Sequence, residues 1–234
     1  MTAMTAGALI TKAYRDAQKL PRGATLSADQ LSDGIDIMND LVNLWQTQGL
    51  KLFLQTETAV TLVSGQQMYS FTPGGDVSID RPLQIIEAAY WDQYSNSRPL
   101  LPISREEWTR LSNRTNTGSV NQYFAEKLYD RLNMYLWNIP DATAATGTVH
   151  AVLRDQATNV TVSADSPNFP PEWAIALRWG VADELTSGMP EAVQMRCQQR
   201  AQSYRAALED WDVEDAETYF QPDPRSMASA RSFR

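Results

Sequence analysis

The chain has 234 residues, a formal net charge of −8 and a sequence pI of about 4.7. That balance argues against a protein built to grip phosphates, which takes clustered Lys and Arg. A single cysteine, Cys197, excludes an intramolecular disulfide and disfavours a structural zinc site, and no apolar run approaches the ~20 residues of a membrane span.

The N-terminal MTAMTAGALITKAYRDAQ lacks the apolar core of a signal peptide, so the chain is expected to stay in the reducing compartment where it is made. Residues 8 to 20 read as a first helix. Ile10, Ala13, Tyr14 and Ala17 form its stripe, and Pro21 with Gly23 ends it. A stronger helix follows over TLSADQLSDGIDIMNDLVNLWQTQGL, where Leu31, Ile35, Met38, Leu41, Val42 and Trp45 recur at three- and four-residue steps. Ser27 and Gln30 have the spacing of a capping box, and Gly49 suits the C′ position. This second helix is expected at the centre of a helical bundle, with the first as its antiparallel neighbour.

From Phe53 the period shortens towards two. Thr58, Val60 and Leu62 fall on one side of a strand, and Tyr69 and Phe71 on one side of the next, with Ser64–Gly65 between them. Pro73, Gly74 and Gly75 make a turn, Leu83–Gln93 a further strand, and Arg98–Ile103 an extended pass whose prolines suit a sheet edge. Ser104 opens a short helix, with Glu107 completing a second capping box and Trp108 and Leu111 as its apolar face. Asn113–Val120 reads as loop, and Gln122–Lys127 with Arg131–Trp137 as a strand pair in which Leu132, Met134 and Leu136 alternate with Asn133, Tyr135 and Trp137. Pro140–Gly147 connects to a last strand, Thr148–Arg154.

Helices return after Pro170, with Pro171 suited to a first helical turn. Trp173, Ile175, Leu177, Trp179, Val181 and Leu185 make this helix apolar nearly all round, so it should be covered on more than one side. Gly188 stops it and Pro190 starts another, striped by Val193, Cys197, Ala201, Tyr204, Leu208 and Trp211. Six acids then crowd together: Glu209, Asp210, Asp212, Glu214, Asp215 and Glu217. Beyond Phe220 the sign reverses in QPDPRSMASARSFR, with two prolines and three arginines, the composition of an extended arm.

Residues that could do chemistry are few. His150, the sole histidine, lies in a strand pattern with no recognisable acid partner or nucleophile, and no phosphate loop or metal-ligand spacing occurs. Glu106 with Glu107, or Asp210 with Asp212, could serve a two-carboxylate hydrolysis but read more simply as charged helix faces. No catalytic, cofactor-binding or metal residue is expected. The tryptophans on helical stripes (Trp45, Trp108, Trp173, Trp179 and Trp211) are expected in the core. Tyr90, Trp91, Tyr94, Tyr135 and Trp137 sit in strand patterns with aromatics on both faces, as expected of an interface with another chain. Their neighbours Asp92, Gln93, Asp130 and Asn133 argue against stacking on single-stranded nucleic acid.

Together these elements give an α+β fold class: an antiparallel helical bundle with an inserted β-rich domain and an extended C-terminal arm. The expected boundaries are 1–52 for the N-terminal helices, 53–163 for the insertion, 164–220 for the C-terminal helices and 221–234 for the arm. This order of parts resembles the head-to-tail adaptors of short-tailed bacteriophages, the tail accessory or packaged-DNA-stabilisation family. The likeness runs through TAGALITKAYRDAQKL, LSADQLSDGIDIMNDLVNLWQTQGL, RPLLPISREEWTRL, LNMYLWNIPDATAATGTVHAVL, PPEWAIALRWGVADEL and RCQQRAQSYRAAL, nearly the whole chain.

The resemblance implies a structural virion protein at the head–tail junction, made in the host bacterial cytoplasm. It implies a ring of copies, typically twelve, that joins the portal protein to the tail nozzle or hub and extends the channel for double-stranded DNA. It also implies a portal-binding arm carrying Gln221, Pro222, Asp223, Pro224, Arg225, Arg231, Phe233 and Arg234, and no cofactor or membrane. Two other readings stand beside it: a cell-wall-degrading tail hydrolase using carboxylates such as Glu107, and a head-completion or neck protein of a long-tailed phage. A cellular transcription factor is disfavoured by the charge and by the lack of a basic recognition helix.

Overall fold

A computed structural model describes residues 4–48, 54–168 and 170–211. The fold is α+β, with helices towards both ends of the described residues and strands between them.

The first helix, α1 (Ala6–Asp16), is capped by Thr5, whose hydroxyl accepts from the Ala8 amide. It ends four residues short of the expected Leu20 because Gln18 turns left-handed (φ 60°), and Lys19 and Leu20 return their amides to the Tyr14 carbonyl. Helix α2 (Ala28–Thr47) begins at the expected capping box, with both the Ser27 and Gln30 bonds present. Its expected terminator, Gly49, lies outside the described residues. The two helices run antiparallel: Ile10 faces Gly34, and the Tyr14 hydroxyl donates to the Gln30 carbonyl (3.0 Å). Gly34 permits this approach, since a Cβ there would collide with Ile10 Cγ2.

Helix α4 (Trp173–Leu185), not α2, is the central one. Eight of its thirteen residues are buried, and it packs against α1, α2 and α5 (Glu191–Trp211). Its all-round apolar sequence therefore outweighs the cleaner stripe of α2 as a sign of centrality. Trp45 on α2 and Trp173 on α4 meet with ring centroids 6.0 Å apart. Pro171 lies in the turn before α4 rather than in its first helical turn, and Gly188 (φ 81°) separates α4 from α5.

Between the helices two four-stranded sheets face each other across a second core. The first has the order β1 (Gln55–Thr61), β10 (Thr148–Arg154), β3 (Gln84–Trp91), β4 (Ser97–Pro99). The second has the order β2 (Met68–Phe71), β8 (Leu132–Trp137), β7 (Gln122–Lys127), β5 (Leu101–Pro102). Val60, Val149, Ala151, Leu153 and Ala88 from one sheet meet Tyr69, Phe71, Met134, Leu136 and Tyr123 from the other. Strands β1 and β2 do not pair with each other; the turn at Ser64–Gly65 hands the chain from one sheet to the other. The Arg98–Ile103 pass does the same at its buried Leu100, supplying an edge strand to each sheet as its prolines suggested. A short parallel pair, β6 (Thr117–Gly118) and β9 (Ile139–Pro140), closes one end.

Helix α3 (Arg105–Arg110) has the expected Ser104–Glu107 capping box but buries no residue. Trp108, expected in the core, is half-buried and instead lies over Phe124 and Tyr135 on the outer face of the second sheet, with centroids 5.8 and 5.6 Å away. After β10 the chain returns to the helices before residue 163. Ala157 and Val160 join the helical core, and the Asn39 amide both donates to and accepts from the Val160 backbone (3.0 Å each).

Candidate interaction surfaces

All eight residues singled out on the arm, from Gln221 to Arg234, lie outside the described residues. The five aromatics expected in strands fall into three environments, and Tyr94 lies in the turn between β3 and β4 rather than in a strand. Tyr90 points into the sandwich, 5% exposed, and its hydroxyl donates to the Ala144 carbonyl (3.1 Å). Its burial is complete within one chain. Tyr135 and Trp137 are half-buried: the Tyr135 hydroxyl donates to Glu126 (3.1 Å), and Trp137 Nε1 donates to the Asn113 carbonyl (2.9 Å). Burial, then the Glu126 carboxylate, pushes the Tyr135 phenol upward, while Arg105 at 2.5 Å holds Glu126 below the usual carboxylate range. Trp91 and Tyr94 are exposed, Tyr94 to 76%.

Strand alternation places Trp91 on the outer face of the first sheet, opposite the core-facing Tyr90. There it stacks on His150 (4.7 Å between centroids), and His150 Nδ1 meets Glu57 at 2.7 Å. Ile86 is exposed on the neighbouring part of this face, and Ala89 and Val152 line the same recess of about 300 Å³. No described helix covers it, in contrast to α3 on the second sheet. A face that mixes aromatic and aliphatic side chains with the polar Glu57, Glu87, Ser97 and His150 has the make-up of a protein contact surface.

His150 therefore does have an acid partner, which sequence spacing could not show: Glu57 is 93 positions away and is brought beside it by the β1–β10 register. Among the described residues no hydroxyl or thiol is hydrogen-bonded to the ring, so the pair lacks the nucleophile that an activated His would serve. Cys197 is buried in the helical core, its thiol donating to the Asp16 carbonyl (3.8 Å) and pushed up by burial.

The carboxylate pairs also have structural explanations. Glu107 accepts from the Ser104 amide at 2.7 Å, and that bond holds its carboxyl below the usual range. A general acid needs the opposite shift. Glu106 pairs with Arg110 one turn on (2.6 Å). Asp210 is exposed, and Asp212 lies outside the described residues. No group of three or more His, Cys, Asp or Glu side chains among the described residues could hold a metal ion.

One grouping is invisible in the sequence. Arg81, Lys127 and Arg154, from three separate segments, line a common cleft with Asn43 and Gln46 of α2. No spacing rule links these positions; only the sheet pairing and the packing of α2 on the sandwich bring them together.

The SU10 adaptor protein family matches residues 4–228 of the sequence. The chain belongs to that family. No curated protein matches it. Membership agrees with the resemblance carried by the helical and strand motifs, and gives the coarse role: a structural adaptor protein of a bacteriophage, a virion component that works within an assembly. No described helix of the adaptor is long and apolar enough to cross a membrane.

Proposed function

We propose that the adaptor forms a ring, of twelve copies by the family resemblance, at the head–tail junction. The ring joins the portal protein to the tail nozzle or hub and extends the DNA channel. The helical parts, 1–52 and 164–220, form an antiparallel bundle that holds neighbouring copies and the portal; the β-rich insertion, 53–163, reaches outward to the tail. The arm at 221–234, led by its prolines and by Arg225, Arg231, Phe233 and Arg234, docks on the portal.

The observation that carries this reading is the family match over residues 4–228, which spans both helical parts, the sandwich and the start of the arm. The uncovered outer face of the first sheet, with Trp91, Ile86 and Val152, supports a contact between the insertion and another protein. The formal charge of −8 suits passage of double-stranded DNA without specific binding, because like charge repels the phosphates.

The arm assignment is tested by deleting residues 221–234 and measuring co-elution with the portal of the same phage. The expected result is loss of co-elution with an unchanged circular dichroism spectrum. A truncated chain that still docks would remove the arm from the account.

A further inference from the structure

The cleft between α2 and the sandwich has the chemistry of an anion site. Its volume is about 540 Å³, and Arg81, Lys127 and Arg154 line it with no acid among the described lining residues. Among the described residues none of the three cations has a carboxylate within ion-pair distance. Arg81 is held in place by donating to the Leu128 carbonyl (3.2 Å), and Arg154 by the β10 register opposite Gln84. Two donors in the wall lack an acceptor, and one acceptor, Asn43 Oδ1, lacks a donor. Gln46 is only 7% exposed, and its Nε2 has no partner; Arg154 Nε is likewise buried and unpaired. Buried donors are almost always satisfied, so two in one cationic recess point to an acceptor that enters from outside the described residues.

The direction of α5 indicates where that acceptor comes from. Near its start, Arg196 donates to the Asp16 carbonyl (2.5 Å), at the end of α1 and hence beside the start of α2. Further along, Arg205 donates to Gln48 (2.5 Å), just past the end of α2 and two residues from Gln46. Helix α5, packed on α4, therefore runs in the same direction as α2, towards the sandwich, and brings its C-terminal end to the junction that holds the cleft. Immediately beyond it the sequence carries Asp212, Glu214, Asp215 and Glu217. Six extended residues span about 20 Å, ample for a carboxylate to reach across a cleft of this size.

We propose that the acidic segment 212–217 of the same chain occupies this cleft. Its carboxylates take the free cations and the two unpaired donors, so the segment that leads into the arm is latched to the α2–sandwich junction. Two arguments favour this occupant over a nucleic-acid phosphate. The segment is tethered beside the site, which keeps its effective concentration high. A free polyanion must instead approach a chain of net charge −8. The inference concerns the isolated chain and does not depend on ring formation or on the portal.

The test is zero-length carbodiimide cross-linking of the purified full-length protein, read by mass spectrometry on a mixture of light and isotopically heavy chains. Lys127 lines the cleft, and Lys19, at the opposite end of the helical unit, is the internal control. The expected product is an amide between Lys127 and a carboxylate of 212–217 within one chain, absent from Lys19. It should be lost in about 1 M salt, where the screening length is about 3 Å, and lost when Asp212, Glu214, Asp215 and Glu217 are all replaced by Asn or Gln. These positions lie outside the described fold, so the comparison does not hinge on a core substitution. Absence of the Lys127 product in the folded protein would overturn the proposal. A product formed only between light and heavy chains would overturn it in favour of a neighbouring copy. Protection of Lys127 by a short DNA duplex, equal in parent and neutralised variant, would overturn it in favour of phosphates.

Discussion

Replacing Trp45 by Ala should weaken the helical unit and leave the sandwich nearly untouched. Trp45 is 4% exposed, tilted against Trp173, and meets α4 at Gly180, where a Cβ would stand in ordinary contact with the indole, 3.4 Å away. A buried Trp removes roughly 150–250 Å² from water, which at about 25 cal/mol per Å² amounts to about 4–6 kcal/mol as an upper bound. Ala keeps a little of that area, and a cavity between two rigid helices collapses poorly, so the expected loss is about 3–5 kcal/mol. The helical and sandwich cores are separate clusters of buried residues. Amide hydrogen exchange followed by mass spectrometry reads both at once. Peptides from α2 and α4 should lose protection equivalent to that energy, while β8 and β10 hold theirs. A loss below about 1 kcal/mol in α4 would contradict the packing argument, and an equal loss in β8 and β10 would contradict the separation of the cores.

Gly34→Ala should destabilise the protein despite the gain in helix propensity, because about 1 kcal/mol of propensity is set against about 1–3 kcal/mol of overpacking on Ile10; adding Ile10→Leu, which removes the colliding branch, should recover part of the loss in a urea titration. Arg178→Ala removes the partner of Asp16, a pair at 2.5 Å with both side chains less than a third exposed, and should cost about 1–3 kcal/mol, with Tm as the readout. Asp76 accepts from the Ser70 amide and hydroxyl (2.8 and 2.6 Å), bonds that, with one from Gln66, hold its carboxyl below the usual range. Its folded value lies below its unfolded one, so this contribution is present above about pH 4 and is lost as pH falls through the folded value. The Tm gap between parent and Asp76→Asn should therefore be widest near neutrality and close in acid; a constant gap would refute the assignment. Glu107→Gln should leave no hydrolytic activity to lose, since none is expected of the parent; cell-wall hydrolysis by the parent that disappears in this variant would revive the hydrolase reading.

What the sequence revealed was mostly local. The Ser27–Gln30 and Ser104–Glu107 capping boxes, the β7–β8 pair and the proline-bearing sheet edges each depend on residues a few positions apart, and each is present. What it concealed was long-range. Stripe quality made α2 look central, but centrality depends on how many neighbours cover a helix, and α4 has three. Strands β1 and β2 are adjacent in sequence yet belong to different sheets, because a turn fixes a change of direction and not a partner. Trp108 shows a helical spacing over a helix only six residues long, so it covers an outer sheet face rather than filling a core. Glu57 with His150, and Arg81 with Lys127 and Arg154, become neighbours only through register and packing. The family could be recognised from the order of the parts; the surfaces could not.

Assembly of this adaptor on a portal, as proposed above, would make the two proteins travel together. Sedimentation velocity of the purified protein, alone and mixed with the portal of its own phage, tests it directly. Co-sedimentation at a fixed ring stoichiometry is the expected result. A stable monomer that ignores the portal would contradict it.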